Sequence, residues 1–197
     1  MCIENTIPLI TRKIDWHHLH VALRGLQVAN SNNLLLGSKG GSADNLVYFQ
    51  DCVVDRKMTI IGTRFIGSLA LDFFLCGETR LATPEATFFL HECRWTLGGG
   101  DVTKGEAQMR ALLHEYNRDF EKYRYWSDVH QRLMIFDQIT IELMSQKTNL
   151  SAYAVAELMQ EESYFDVDCA LHYGIIHDVV DIQQIALLPQ LGIFEPW

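Results

Sequence analysis

Apolar residues recur along the first half of the chain in short segments, with spacing that alternates between that of helices and that of strands. Asp15 is suited to cap a first helix, in which Trp16, Leu19, Leu23 and Leu26 follow at helical spacing. Apolar runs typical of buried strands then alternate with further helical patterns. The strands are predicted at residues 34–36, 58–65 and 86–92, and the helices at about 43–54 and 68–75.

This order of elements predicts an α/β fold, because strand, helix and strand in alternation are typical of βαβ units in a largely parallel sheet. Ligands of such sheets bind beyond the carboxyl ends of the strands. Three positions lie at such ends: the turn after Leu36, the turn before Ser68, and His91 itself. Functional residues are therefore expected at these three positions.

The second half of the chain has a long helical pattern. From Gly105 to about Met144 there is no proline and no further glycine, and apolar residues recur at steps of three and four. The pattern predicts one very long helix or two nearly collinear helices. A single helix would span about 60 Å, so we expect its apolar stripe to pack against another subunit. A short helix, a break at Gly174, a closing strand and an apolar tail at about 182–197 are predicted to follow.

Composition excludes several classes of partner. The 197 residues fit one domain, and the net charge of −9, without a visible Lys/Arg cluster, argues against nucleic acid or an anionic membrane as partner. No run of 18 apolar residues is present, so no membrane span is expected, and the start lacks the pattern of a secretory signal. Five scattered cysteines without a CxxC pair indicate reduced thiols in a cytoplasmic protein.

Ser68 and His91 are the candidates for chemistry. Acyl transfer by serine needs a hydroxyl at a sharp turn, an imidazole base, a carboxylate that orients it, and N–H groups that hold the oxyanion. The segment FIGSLAL places Ser68 at a strand-to-helix turn that resembles a nucleophile elbow, although the second glycine of GxSxG is missing. The segment SKGG, residues 38–41, is interpreted first as a turn and second as an anion-binding nest.

A metal site is the less favoured interpretation of the segment WHHLH. His17 and His20 share a helix face and are chemically able to bind a metal, but a solvated helix face is the more common meaning of such a pattern. No metal and no cofactor are therefore expected.

Four segments resemble, in order and spacing, those of the ClpP-type serine peptidases of the ClpP/crotonase superfamily. LLLGSKGG is similar to the strand ending in SPGG, and GSLALDFFLCG to the helix that begins at the catalytic serine. TPEATFFLH is similar to the segment that ends in the catalytic histidine, and ESYFDVDCALHYGIIHDVV to the acid segment and the ending after it. The resemblance covers about residues 8–182. It implies a single ClpP-like domain over 1–197, with a parallel-rich sheet, flanking helices and a helical handle at about 98–147.

The resemblance also implies a role for each matching residue. Ser68 becomes the nucleophile, His91 the general base and Glu162 the acid that orients the histidine, while the backbone N–H groups of Gly41 and Leu69 form the oxyanion hole. A serine endopeptidase that cleaves short or unfolded peptides and assembles as a homo-oligomer is implied.

Departures from the family pattern keep alternatives open. Glu161 and Asp166 lie close enough along the chain to compete with Glu162 as the acid. Lys39 replaces the proline of SPGG, Arg64 replaces a glycine before the serine, and Glu162 replaces the family's aspartate. These three departures favour a catalytically inactive oligomeric scaffold as the alternative.

Two further expectations concern an unfoldase partner and an acyl-CoA activity. The section before the first matching segment is short for the family, so we do not expect dependence on an ATP-driven AAA+ unfoldase. The stretch GSLALDFFLCGETRLATPEATF, residues 67–88, also resembles crotonases, which are acyl-CoA enzymes. That interpretation is the least favoured, because no glutamate pair lies near the turn and Ser68 and His91 would have no role.

Overall fold

The computed structural model describes residues 9–10, 13–28, 32–53, 55–96 and 103–181. The strands among these residues are β1 (Leu9–Ile10), β2 (Asn33–Leu36), β3 (Thr59–Gly62), β4 (Phe65–Gly67), β5 (Thr79–Ala82), β6 (Thr87–Leu90), β7 (Trp95–Thr96), β8 (Thr103–Lys104), β9 (Ser163–Phe165) and β10 (Asp178–Val179). The helices are α1 (Trp16–Val28), α2 (Asn45–Val53), α3 (Leu69–Leu75), α4 (Glu106–Glu115), α5 (Phe120–Lys147), α6 (Ala152–Gln160) and α7 (Val167–His172). The predicted tail at 182–197 lies outside the described residues.

The larger sheet has five parallel strands in the order β1-β2-β3-β5-β10, which confirms the predicted parallel-rich α/β fold. Side chains alternate between its two faces. Leu34 and Ile60 belong to the main core, together with residues of α1, α2 and α3 such as Phe49 and Phe73. Leu35 and Ile61 belong to a smaller cluster on the opposite face. The helices are thus held on one face by ordinary apolar burial.

A second, smaller sheet carries the candidate site. Its order is β4-β6-β9, with β4 parallel to β6 and β9 antiparallel to β6. The prediction of one strand over 58–65 is wrong, because the chain turns at Arg64, where φ is 57°, and passes from β3 in the larger sheet to β4 in the smaller one. This turn brings the end of β4 beside the end of β6.

The long helical pattern folds into two helices that pack side by side. The chain reverses at residues 116–118, and Met109 of α4 packs against Val129 and Leu133 of α5. The expectation of a single helix or of two nearly collinear helices is therefore wrong, since part of the apolar stripe is buried between the two helices themselves. α5 alone has 28 residues, which corresponds to a length of about 42 Å.

Candidate active site

Ser68 occupies a sharp turn between β4 and α3. Its backbone has φ 55° and ψ −134°, a conformation that residues with a side chain rarely adopt. The Ser68 N–H donates to the carbonyl of Phe89 in β6, over 3.0 Å, so the neighbouring strand fixes the turn. Strained backbone of this kind occurs where the surrounding structure holds a side chain in a required position.

A glycine turn after β2 packs directly against Ser68. Gly40 has φ 99°, and a Cβ at this position would lie 2.8 Å from the Cβ of Ser68 and 3.1 Å from the N atom of Leu69. The carbonyl of Ser38 accepts a 2.9 Å hydrogen bond from Gly67, which anchors the turn to the end of β4. The absence of a side chain at Gly40 is therefore what allows the backbone of this turn to reach the serine.

The N–H groups of Gly41 and Leu69 do not take part in the β-bridge or the helix to which each residue belongs. Gly41 forms a parallel bridge with Ile14, in which the flanking Gly40 carbonyl and Ser42 N–H bond to Ile14. The N–H of Gly41 itself then points away from Ile14, as the alternation of a parallel ladder requires. Leu69 is the first residue of α3, so its N–H has no acceptor within its own helix.

His91 follows the last residue of β6, beside the end of β4. Its ring stacks on that of Phe89, with the ring centroids 5.0 Å apart, and its Nδ1 lies 2.6 Å from the carbonyl oxygen of Glu92. Because a carbonyl only accepts, Nδ1 carries the hydrogen in this contact and Nε2 of the neutral ring is left as an acceptor. Burial lowers the pKa of His91, and the positive charge of Arg94 acts in the same direction.

One cavity of about 820 Å³ brings four of the five predicted site residues together. These are Ser68, His91, Gly41 and Leu69. Its other walls come from α5 and from the segment after β6. Within the described residues, no hydrogen bond joins the Ser68 hydroxyl to His91.

Glu162 lies next to the site but makes a different contact. Leu90 pairs with Ser163 in the β6–β9 ladder, so the next position along each chain places His91 opposite Glu162. The carboxylate of Glu162 binds the guanidinium of Arg94, and Glu162 is not among the described residues that line the cavity. The predicted contact between Glu162 and His91 is therefore not formed in this structure.

The structure also places the two alternative acids and two positions that depart from the ClpP-type pattern. Asp166 caps α7, where its carboxylate accepts a 2.9 Å hydrogen bond from the N–H of Cys169. Glu161 ends α6 and is exposed. Lys39 lines the cavity, whereas Arg64 lies at the turn between β3 and β4. Of the three acids, Glu162 is thus the one that the strand register sets opposite His91.

Two residues of the site were not identified from the sequence. Asp72 lines the cavity from α3, and a signal for it exists, since it is the one charged residue in the helix LALDFFL. Arg94 also lines the cavity, but nothing in its sequence position indicates that it binds Glu162.

The histidines of WHHLH, the cysteines and the helix lengths can be described within these ranges of the chain. His17 and His20 are exposed, and no cluster of three or more potential metal ligands occurs among the described residues. The cysteines within the described ranges, Cys52, Cys76, Cys93 and Cys169, are free thiols. Across these same ranges, no helix combines the length and apolar character that crossing a bilayer requires.

Comparison with solved structures identifies the fold. A point mutant of ClpP1 from Listeria monocytogenes matches with a TM-score of 0.64 and 17% identity, over 89% of this chain and 91% of that one. ClpP1 from the same organism matches with a TM-score of 0.58 and 16% identity, over 89% and 91% of the two chains. No family model and no curated protein matches the sequence. The likeness to these structures over about nine tenths of the chain shows that this protein has the ClpP-like fold.

Proposed function

We propose that this protein is a serine endopeptidase that cleaves peptides through an acyl-enzyme on Ser68. One observation carries the proposal: Ser68 sits in a strained strand-to-helix turn, against a glycine turn, in the same cavity as His91. A serine kept only for packing does not need φ 55°, since the left-handed region is unfavourable for residues with a side chain. Likeness to ClpP1 structures supports the same class of chemistry.

The proposed reaction uses His91 as base and then as acid. Nε2 of the neutral ring takes the proton of Ser68 as Oγ attacks the substrate carbonyl, and the N–H groups of Gly41 and Leu69 hold the oxyanion. His91 then gives the proton to the leaving amine, and water, activated in the same way, resolves the acyl-enzyme. In active sites without a bound substrate, the hydrogen bond between nucleophile and base is often long and shortens only in the complex. The lack of a Ser68–His91 hydrogen bond is therefore compatible with this reaction.

The backbone carbonyl of Glu92 supplies part of what a triad acid supplies. By accepting from Nδ1, it fixes the tautomer in which Nε2 is the base. Glu162 is proposed to take over this contact once Arg94 releases it, because the strand register already sets it opposite His91. The reaction needs no cofactor. The proposed substrates are short or unfolded peptides. The backbone of the turn at Gly40 and Gly41 forms one side of the cavity, and an extended peptide can lie along it with a carbonyl at Ser68.

The test is labelling with a fluorophosphonate probe, in wild type and in Ser68→Ala, with the modified residue identified by mass spectrometry. Labelling confined to Ser68, together with peptide cleavage that disappears in the variant, is the expected result. Cleavage that survives in Ser68→Ala contradicts the assignment of the nucleophile.

A catalytically inactive homo-oligomeric scaffold is the second candidate. It is favoured by one specific contact, the pairing of Glu162 with Arg94 in place of His91. Folded and assembled protein that takes up no probe at Ser68 would select this candidate, and Ser68→Ala would then leave assembly and any cellular phenotype unchanged.

A further inference from the structure

Asp72 is a buried carboxyl group on the wall of the candidate active site. It lies on α3, one turn beyond Ser68, and the residue is 7% exposed. It lines the cavity, yet its Oδ1 has no hydrogen-bond partner among the described residues. A buried oxygen that lacks a hydrogen-bond partner destabilises the folded protein, because it has lost its contact with water. A feature that is unfavourable for the empty protein points to a role with a ligand present.

The surroundings of Asp72 favour a positively charged ligand. The hydroxyl of Thr140 on α5 bonds to the carboxylate, and Asp137, one turn earlier on α5, adds negative charge. Burial and the charge of Asp137 together raise the pKa of Asp72 to about 7. Asp72 is therefore about half protonated at neutral pH when the cavity is empty, and a cation that approaches it favours the ionised form.

The other side chains that line the cavity include apolar ones and charged ones. Leu69, Leu133 and Phe136 line it with apolar surface. Five charged residues other than Asp72 also line it, and all five are exposed to solvent: Lys13, Lys39, Asp44, Arg94 and Arg132. The charge that acts on Asp72 comes from Asp137. Among the charged residues that line the cavity, Asp72 is thus the buried one, and apolar side chains share the wall with it.

This arrangement matches a lysine or arginine side chain, which has an apolar stem and a charged head. A substrate carbonyl held at Ser68 places the side chain of the same residue next to the start of α3. One helical turn advances about 5.4 Å, a distance that a four-carbon stem covers. The stem would contact Leu133 and Phe136, and the head would meet the carboxylate of Asp72.

We propose that Asp72, with Asp137 behind it, forms an acidic subsite that selects peptides with a cationic side chain at the residue whose carbonyl Ser68 attacks. This inference rests on the proposed peptidase function and adds its substrate class. A charge-assisted hydrogen bond contributes about 1.5–3 kcal/mol, so the expected preference is on the order of 10- to 100-fold.

The test compares two fluorogenic peptides that differ only at the residue before the cleaved bond, lysine in one and norleucine in the other. Norleucine keeps the stem and removes the charge. We expect wild type to favour the lysine peptide at least tenfold in kcat/KM, and Asp72→Asn to bring that ratio close to one. Asp51→Asn removes an exposed charge on α2 and is the matched control, with the wild-type ratio. A wild-type ratio near one, with cleavage intact, overturns the subsite while the peptidase proposal stands.

A binding measurement separates the subsite from catalysis. p-Aminobenzamidine carries an amidinium on an aromatic ring, and its fluorescence rises when it enters an apolar pocket. We expect it to bind wild type and Ser68→Ala alike and to bind Asp72→Asn at least tenfold more weakly. Binding of this pattern without probe labelling or cleavage overturns the peptidase proposal and the peptide substrate, and supports the cation site. Equal binding by wild type and Asp72→Asn overturns the cation site.

Discussion

The guanidinium of Arg94 binds the carboxylate of Glu162, the residue that the β6–β9 register sets opposite His91. Both residues are partly exposed, at 34% and 51% of their side chains, so the pair itself adds little stability. What the pair does is hold the Glu162 carboxylate on Arg94 and away from His91. While Arg94 holds Glu162, the imidazole donates to the backbone carbonyl of Glu92.

We therefore predict that Arg94→Ala increases peptidase activity. Without its partner, Glu162 is free to approach Nδ1 of His91, and a carboxylate stabilises the imidazolium formed in the reaction better than a carbonyl does. The measurement is kcat/KM on a fluorogenic peptide for Arg94→Ala, Glu162→Gln and the double variant, with the exposed Arg118→Ala as control. The gain must disappear in the double variant. A loss of activity in Arg94→Ala would mean that Arg94 itself serves the substrate.

The pH dependence of the activity should reflect the environment of His91. Burial and the charge of Arg94 lower the pKa of this imidazole, and the base must be neutral to act. We expect kcat/KM to rise with pH through an acid limb that lies below pH 6.5, the ordinary value for histidine. In Arg94→Ala a positive charge is lost, the protonated ring becomes less unfavourable, and the limb should move to higher pH. A limb that is identical in both proteins contradicts this account.

The larger sheet and the placement of Ser68 and His91 were accessible from the sequence for a simple reason. Apolar runs such as residues 34–36 mark buried strands, and in parallel sheets the chemistry collects at their carboxyl ends. The inner strand β5 was not predicted, because the charged residue Arg80 interrupts the apolar character of its sequence, TRLA. Arg80 is only 4% exposed, and its guanidinium donates to the carbonyls of Gly77, Lys147, Gly174 and Ile175.

The contacts within the site were not accessible, because they depend on tertiary register rather than on local pattern. Glu162 could be aligned with the acid position of the ClpP-type pattern, but its pairing with Arg94 joins residues 68 positions apart. The reversal between α4 and α5 was also hidden. The helical period continues through residues 116–118 with no glycine or proline to mark the turn.

Asp72 should make the stability of the protein depend on pH. Its pKa is raised from 3.8 to about 7 in the folded state, so folding binds a proton between these values. The folded state therefore loses stability as pH rises from about 4 to about 7, by up to about 4 kcal/mol in total. Asp72→Asn cannot titrate and should show a smaller fall in the free energy of unfolding across this range, measured by urea denaturation. Asp51→Asn should follow wild type, and equal slopes in all three proteins would contradict the buried carboxyl.

Gly40 should tolerate no side chain. An alanine there would place its Cβ 2.8 Å from both the Gly67 carbonyl oxygen and the Ser68 Cβ, at a left-handed φ that by itself costs about 1–2 kcal/mol. We expect Gly40→Ala to lower the melting temperature and to reduce probe labelling of Ser68 more than tenfold. Gly105→Ala is the matched control, because its Cβ would meet only the end of the flexible Glu92 side chain, at 3.3 Å. Similar labelling rates in the two variants would mean that the glycine turn does not support the serine.

Assembly should depend on an apolar stripe along α5. Phe120, Tyr123, Met134 and Ile135 are exposed, and at 100° per residue they fall on the side of α5 opposite the buried Val129.

Ile135 is 57% exposed, and a second copy of the chain would cover its apolar side chain. Ile135→Glu should therefore place a charge in the interface. The expected result is a lower mass, measured by light scattering after gel filtration. Val47→Glu makes the same change at a residue 50% exposed on α2 and should keep the wild-type mass. Wild type that elutes as a monomer, or an Ile135→Glu variant that retains the full oligomeric mass, would show that this stripe is not the interface.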